Sequence, residues 1–186
     1  MTLYRCFVWR GAAPATEPDG PLWFPRMFQG DGRHDNPEVY GCLYLSDRPA
    51  SCIVEQLAAF RGQRLTAALL RRRGLPLALA RLELDSAREL IDLDDPSVLK
   101  RGRLRPSLVA TRQRETTQPQ ALALYRGHPK AAGLRWWSSW EALWTNVTVF
   151  DRAARALKVI DVTELTLEHP TLREAAEFFG LRVSAY

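Results

Sequence analysis

Three side chains with chemistry to offer follow one another at equal spacing: Arg33, Tyr44 and Glu55. Arg33 sits in a glycine-bracketed loop made of Gly30, Asp31, Gly32, Arg33, His34, Asp35, Asn36 and Pro37. Its guanidinium is a planar fork that matches phosphate geometry, and the glycines let a ligand approach the backbone. The competing assignment is an arginine that anchors the loop by pairing with Asp31 or Asp35. Tyr44 lies near the end of a short apolar run, where it can present a ring face to a ligand or serve as a core tyrosine. Glu55 falls inside a helical pattern that holds a carboxylate firmly enough to stabilise positive charge or accept a proton; a solvated helix glutamate is the alternative. Ser138, after three bulky residues, is a hydrogen-bonding group or a turn serine, and no glycine-bracketed nucleophile elbow surrounds it. Arg5 stands in a first strand, where a cation is costly unless paired, so it is a ligand contact or the partner of a carboxylate such as Glu55. Asn146 is a nearby hydrogen-bonding group or a strand cap.

The elements that must position these groups follow from periodicity and punctuation. Residues 3–9 predict a first strand, closed by Gly11. Residues 11–32 carry Pro14, Pro18, Pro21 and Pro25 with Trp23, Phe24 and Phe28 among them. That density of proline forbids helix and central strand while the aromatics favour burial, so an ordered lid-like loop is expected. Residues 42–45 predict a buried strand, and Ser46 or Asp47 a cap for a helix with Ile53, Leu57 and Phe60 on one stripe. A short helix over 66–73 ending at Gly74, a strand over 75–84 with a slip near Arg81, and a further strand over 89–93 come next. Asp94, Asp95 and Pro96 open a small helix, and Thr116 or Thr117 caps another running to Arg126. Residues 133–139 predict a strand; 146–150 and 157–162 alternate as a strand pair; Thr171 with Glu174 suggests a capping box for a last helix stopped by Gly180. Residues 181–186 suggest a final strand. Strands without regular βαβ alternation predict an α+β fold with a curved, mostly antiparallel sheet and helices outside it.

The totals narrow the function classes. The length suits one domain with a substantial core, and 26 basic against 21 acidic residues leave a charge of +5, a mild pointer to a phosphate-bearing or polyanionic partner. Six basic residues between Lys100 and Arg114, with no acid among them, predict an exposed cationic loop. Cys6, Cys42 and Cys52 form no C-x-x-C pair, and His34, His128 and His169 lack ligand spacing, so buried thiols in a reducing compartment and no metal site are expected. The chain shows neither a basic-then-apolar leader nor a run long enough to span a membrane, and a cytoplasmic location is the expectation.

Seven pieces in order carry a resemblance: Leu3, Tyr4 and Arg5; the loop from Gly32 to Pro37; Leu43, Tyr44, Leu45 and Ser46; residues 50–57 with Glu55; Gly133 to Ser138; residues 146–150; and residues 172–183. Together they resemble the RES domain family, named for an arginine, a glutamate and a serine. The resemblance covers almost the whole chain and implies a single RES-type domain over residues 1–186, with an ADP-ribosyltransferase-like fold. It further implies the toxin half of a bacterial toxin–antitoxin pair that breaks the nicotinamide–ribose bond of NAD, passing ADP-ribose to water, phosphate or a protein side chain. NAD is then the substrate, with no metal. In that chemistry Arg33 binds phosphate, Tyr44 stacks on nicotinamide, Glu55 stabilises the ribosyl cation and Ser138 orients, while Arg5 and Asn146 add ligand contacts. The implied partner is a cognate antitoxin with a helix-turn-helix DNA-binding domain, which allows a hetero-oligomer as well as a homo-oligomer. Two positions depart from the family pattern: His34 replaces an aromatic residue, and Ser139 and Trp140 stand where a basic residue is common. They keep a catalytically degenerate relative in play. The rival class is a nucleic-acid-binding module using Arg71, Arg72 and Arg73, the basic loop and exposed tryptophans.

Overall fold

A computed structural model describes residues 1–183; the end of the predicted last strand, 184–186, lies outside the described residues. The first strand, β1 (Thr2–Val8), forms as expected. β2 (Cys42–Ser46) leads into α1 (Pro49–Leu57), which starts on Arg48 with Pro49 in the first turn, so neither Ser46 nor Asp47 is the cap. β3 is Arg64–Leu65. The helix predicted over 66–73 is instead a short 3-10 turn, Ala67–Leu70, followed by β4 (Arg71–Arg72) and β5 (Leu75–Leu84). Arg73 and Gly74 join these two strands with φ of 52° and 80°, a two-residue hairpin turn that Gly74 adopts at little cost. β6 (Leu90–Asp92) precedes α2 (Pro96–Gly102), whose Asp95 accepts the Ser97 N–H at 2.7 Å, the expected cap. The cationic stretch is not all loop, because α3 (Pro106–Val109) lies within it; its six basic side chains are nonetheless exposed. α4 (Arg114–Gly127) begins on Gln113, which leaves Thr117 inside the helix, and is followed by β7 (Gly133–Trp137), β8 (Thr145–Phe150) and β9 (Leu157–Glu164). α5 (Pro170–Phe178) begins on His169, so the capping box of Thr171 and Glu174 does not form; β10 is Arg182–Val183.

The chain forms two units. The first comprises Met1, Phe24–Leu45 and Leu84–Lys158. Its strands run in the order β2, β8, β7, β6; β8 and β7 are antiparallel, with Trp136 opposite Asn146 and Leu134 opposite Thr148, and β6 joins β7 in parallel. Gly133 is required where the two strands meet, since a methyl group there would overlap the Thr148 carbonyl. Its core holds Tyr40, Leu134, Trp136, Phe150, Ala121 and Leu124, so α4 closes over the sheet through its apolar face. Arg152 fastens the end of α4, donating to the Ala131 and His128 carbonyls at 2.8 Å each and lying over the Tyr125 ring at 4.1 Å. The predicted burial fails at Phe28, which is 71% exposed beside Met27 on a short 3-10 turn.

The second unit comprises Thr2–Trp23, Ser46–Glu83 and the chain from Val159 onward. β1 lies between β5 and Ser46, and its register with β5 runs unbroken from Thr2 opposite Glu83 to Val8 opposite Leu77. The slip expected near Arg81 is therefore absent: Arg81 and Glu83 simply face outward between buried Ala80, Leu82 and Leu84. β9 adds to β5 rather than pairing with β8, which corrects the predicted strand pair. β10 pairs in parallel with β3. α1 packs on β1 and α5, and Ile53, Val54, Leu57 and Leu172 are fully buried there. The described residues thus form a mixed α+β fold with mostly antiparallel sheet and helices, as expected.

Candidate functional site

The Arg33 loop is shaped by a residue that the sequence reading treated only as a salt-bridge alternative. Asp35 is buried, and its Oδ2 accepts the N–H groups of Gly30 and Gly32, each at 2.8 Å. Its Oδ1 accepts the Tyr44 hydroxyl at 2.6 Å, while the Tyr44 oxygen accepts the His34 N–H at 2.9 Å. One carboxylate therefore collects two backbone donors and a phenol. Gly32 is irreplaceable here, because a methyl group would run into both the Asp35 carboxylate and the Tyr44 hydroxyl. Burial, and then the neighbouring Cys42 and Asp35, push the Tyr44 phenol well above its ordinary range, so it stays protonated and donates.

His34, one of the two departures from the family pattern, is a core residue. It is 3% exposed, its Nδ1 lies 2.8 Å from the Thr148 hydroxyl, and its ring meets Trp136 edge-on at 5.2 Å. Trp136 Nε1 donates to the same Thr148 oxygen at 3.1 Å. Burial first, and the Arg33 charge second, pull His34 down to about 3, so the imidazole is neutral.

Arg33 lays its guanidinium over the Trp136 ring, 4.6 Å from the centroid, and donates to the Thr111 carbonyl and, at 3.4 Å, to that of Val109. Its own carbonyl accepts the Thr117 hydroxyl at 2.6 Å, and Gln118 reaches the Gly30 and Gly32 carbonyls at 2.9 Å each. Helix α4 and the segment before it thus set both the backbone and the side chain of Arg33. On the adjoining strands Asn146 faces Trp136 across the β7–β8 register and is buried. Ser138, two positions beyond Trp136, is also buried and holds the Trp140 N–H at 3.1 Å. The unit so brings Arg33, Tyr44, Asn146 and Ser138 to neighbouring positions around Trp136 and the His34 loop. At the second departure, Arg112 places its guanidinium 3.9 Å over the Trp140 ring.

The other two candidates belong to the second unit. Glu55 is exposed on α1, where Ile53, Val54 and Leu57 are buried. Arg5 donates to the carbonyls of Pro21 at 2.6 Å and Trp23 at 3.0 Å, with its guanidinium 5.2 Å from the Phe7 ring. Burial pulls it down to about 10, and backbone carbonyls of the proline-rich stretch are its hydrogen-bond acceptors. The features behind the nucleic-acid alternative are differently used. Arg71 donates to the Gly74 carbonyl of its own hairpin turn and Arg72 to the Leu69 carbonyl of the preceding 3-10 turn, Arg73 pairs with Asp19 at 3.0 Å, and all six tryptophans are at least half-buried. Among the described residues no group of three or more His, Cys, Asp or Glu is placed to hold a metal, and no helix is long and apolar enough to cross a membrane.

What sequence reasoning missed is the support: Asp35, Trp136, Thr148 and Gln118. Asp35 alone carried a signal, a carboxylate three positions after a glycine, which is the spacing of side-chain to backbone turns. Comparison with known proteins bears on the family and the fold. The RES domain pattern matches residues 2–170. Among solved structures, the crystal structure of the M. tuberculosis MbcT–MbcA toxin–antitoxin complex is similar with a TM-score of 0.64 at 18% identity, covering 97% of this chain and 88% of that chain. At that identity the likeness speaks to fold. No curated protein matches. With the family pattern spanning nearly the whole chain, the chain belongs to the RES domain family.

Proposed function

We propose that this protein is an RES-type toxin that cleaves the nicotinamide–ribose bond of NAD and is neutralised by a cognate antitoxin, acting in the cytoplasm as one RES-type domain. The observation that carries the reading is the Arg33 loop. A planar guanidinium on an aromatic ring, beside a glycine backbone locked by Asp35, suits a diphosphate. Arg33 would take the phosphates, with Arg5 and Asn146 as further ligand contacts, and the Tyr44 ring would pack on nicotinamide. Glycosidic cleavage sends the bonding electron pair out with nicotinamide and leaves an oxocarbenium-like ribose. The Glu55 carboxylate would stabilise that cation and take the proton of the attacking oxygen, and Ser138 would orient the ribose or the carboxylate. Support for an antitoxin partner comes from the similar M. tuberculosis protein, which was solved in a toxin–antitoxin complex. Water, phosphate and a protein side chain are the acceptors to be distinguished, the last making the protein an ADP-ribosyltransferase.

The purified protein with NAD should release nicotinamide, and Glu55→Gln should abolish release while leaving the fold intact by circular dichroism. NAD that stays intact with water, phosphate and protein acceptors alike overturns the proposal.

A further inference from the structure

The geometry points to Asp35 as a positioning residue that clasps the Arg33 loop to Tyr44, so that Tyr44 serves through its ring while its hydroxyl is committed to the loop. The inference deepens the reading above and rests on it. Two observations carry it independently. First, the Tyr44 hydroxyl has one proton, and that proton is given to Asp35 Oδ1 at 2.6 Å; its oxygen already accepts the His34 N–H at 2.9 Å. A phenol so engaged has no proton left for a substrate. Second, the same carboxylate uses its other oxygen on the N–H groups of Gly30 and Gly32, the residues that frame Arg33, and Gly32 leaves no room for a side chain between them. Asp35 shapes the backbone from which Arg33 projects, and it fixes the distance from that backbone to the Tyr44 ring.

Two near-isosteric changes separate this role from the alternatives. In Asp35→Asn the amide oxygen can still accept the glycine N–H groups, while the Tyr44 proton loses its acceptor. In Tyr44→Phe the ring stays and the clasp is lost. Each variant should raise KM for NAD in nicotinamide release by about tenfold and change kcat by less than about threefold, the size of one charge-assisted hydrogen bond. The double variant should be no worse than either single one, because both remove the same link. An additive double variant, or a Tyr44→Phe enzyme with kcat down by about a hundredfold at unchanged KM, overturns the inference, since the hydroxyl would then be acting on substrate. A readout without NAD keeps the test separate from the proposed activity. Amide hydrogen exchange at Gly30 and Gly32 should be slow in the wild type and accelerate in Asp35→Ala. Ultraviolet titration should show one phenol falling toward the ordinary tyrosine range in Asp35→Asn. Unprotected glycine amides in the wild type refute the clasp. A wild type with protected amides but no nicotinamide release refutes the NAD reading and leaves the clasp standing.

Discussion

Acid should loosen the first unit through His34, and the size of the effect follows from its burial. In the folded chain the imidazole is 3% exposed, bound to the Thr148 hydroxyl, and pulled down to about 3. In the unfolded chain it titrates near 6.5. Above that pH both states are neutral at this residue and nothing changes. Below it the unfolded chain takes up a proton that the folded chain refuses, so stability falls steadily as pH drops from about 6.5 toward about 3. The cost is about 1 kcal/mol near pH 5.5 and about 3 kcal/mol near pH 4.5, a large part of a typical domain's stability. His34→Phe removes the titration, keeps a ring against Trp136, and loses the Thr148 bond, so it should be about 1 kcal/mol less stable than wild type at neutral pH. Urea unfolding of both proteins between neutral pH and about pH 4.5 should therefore give stability curves that converge and cross near pH 5.5. The other ionisable groups are common to both proteins and cancel in the difference. Parallel curves, or an NMR titration of His34 centred near 6.5, would show that the imidazole is hydrated in the folded protein and refute the reasoning.

Two further outcomes test the scaffold. Thr148→Val leaves both Trp136 Nε1 and His34 Nδ1 without their shared oxygen in a buried setting, and should cost about 1–3 kcal/mol per orphaned group in chemical denaturation. Gly133→Ala forces a methyl group into the Thr148 carbonyl and should lower the thermal midpoint by several degrees or prevent folding, whereas Gly127→Ala, at a position with nothing within 4 Å of the added carbon, should be nearly neutral.

Legibility in the sequence tracked how local each cause was. β1, β5 and the start of α2 were predictable because alternation and an aspartate before proline act over a few residues. The 66–73 segment misled because a glycine that needs a left-handed backbone ends helices and turns hairpins equally well, and only the partner strand decides. The same holds for β9, whose alternation is plain but whose place beside β5 is set by contacts far along the chain. Helix starts were misplaced where proline in the first turn took precedence over a side-chain cap, at Pro49 and Pro170. In the candidate site, Arg33, Tyr44 and Ser138 stood out by type and setting. Thr148 and Gln118 did not, because a buried polar partner is recognisable only once its counterpart is in place.

The way α4 grips the Arg33 loop bears on when that loop takes shape during synthesis. Thr117 bonds the Arg33 carbonyl from 84 residues downstream, and Gln118 bonds Gly30 and Gly32 from 88 and 86 residues away. His34 then waits for Thr148, a further 30 positions along the chain, counting from Gln118. A ribosome that has released only the first hundred residues has therefore made the loop together with Asp35 and Tyr44, but not Thr117, Gln118 or Thr148, which hold it from further along the chain. A truncated or stalled product of that length carries the local bonds of Asp35 and Tyr44 without the ones that α4 and β8 supply.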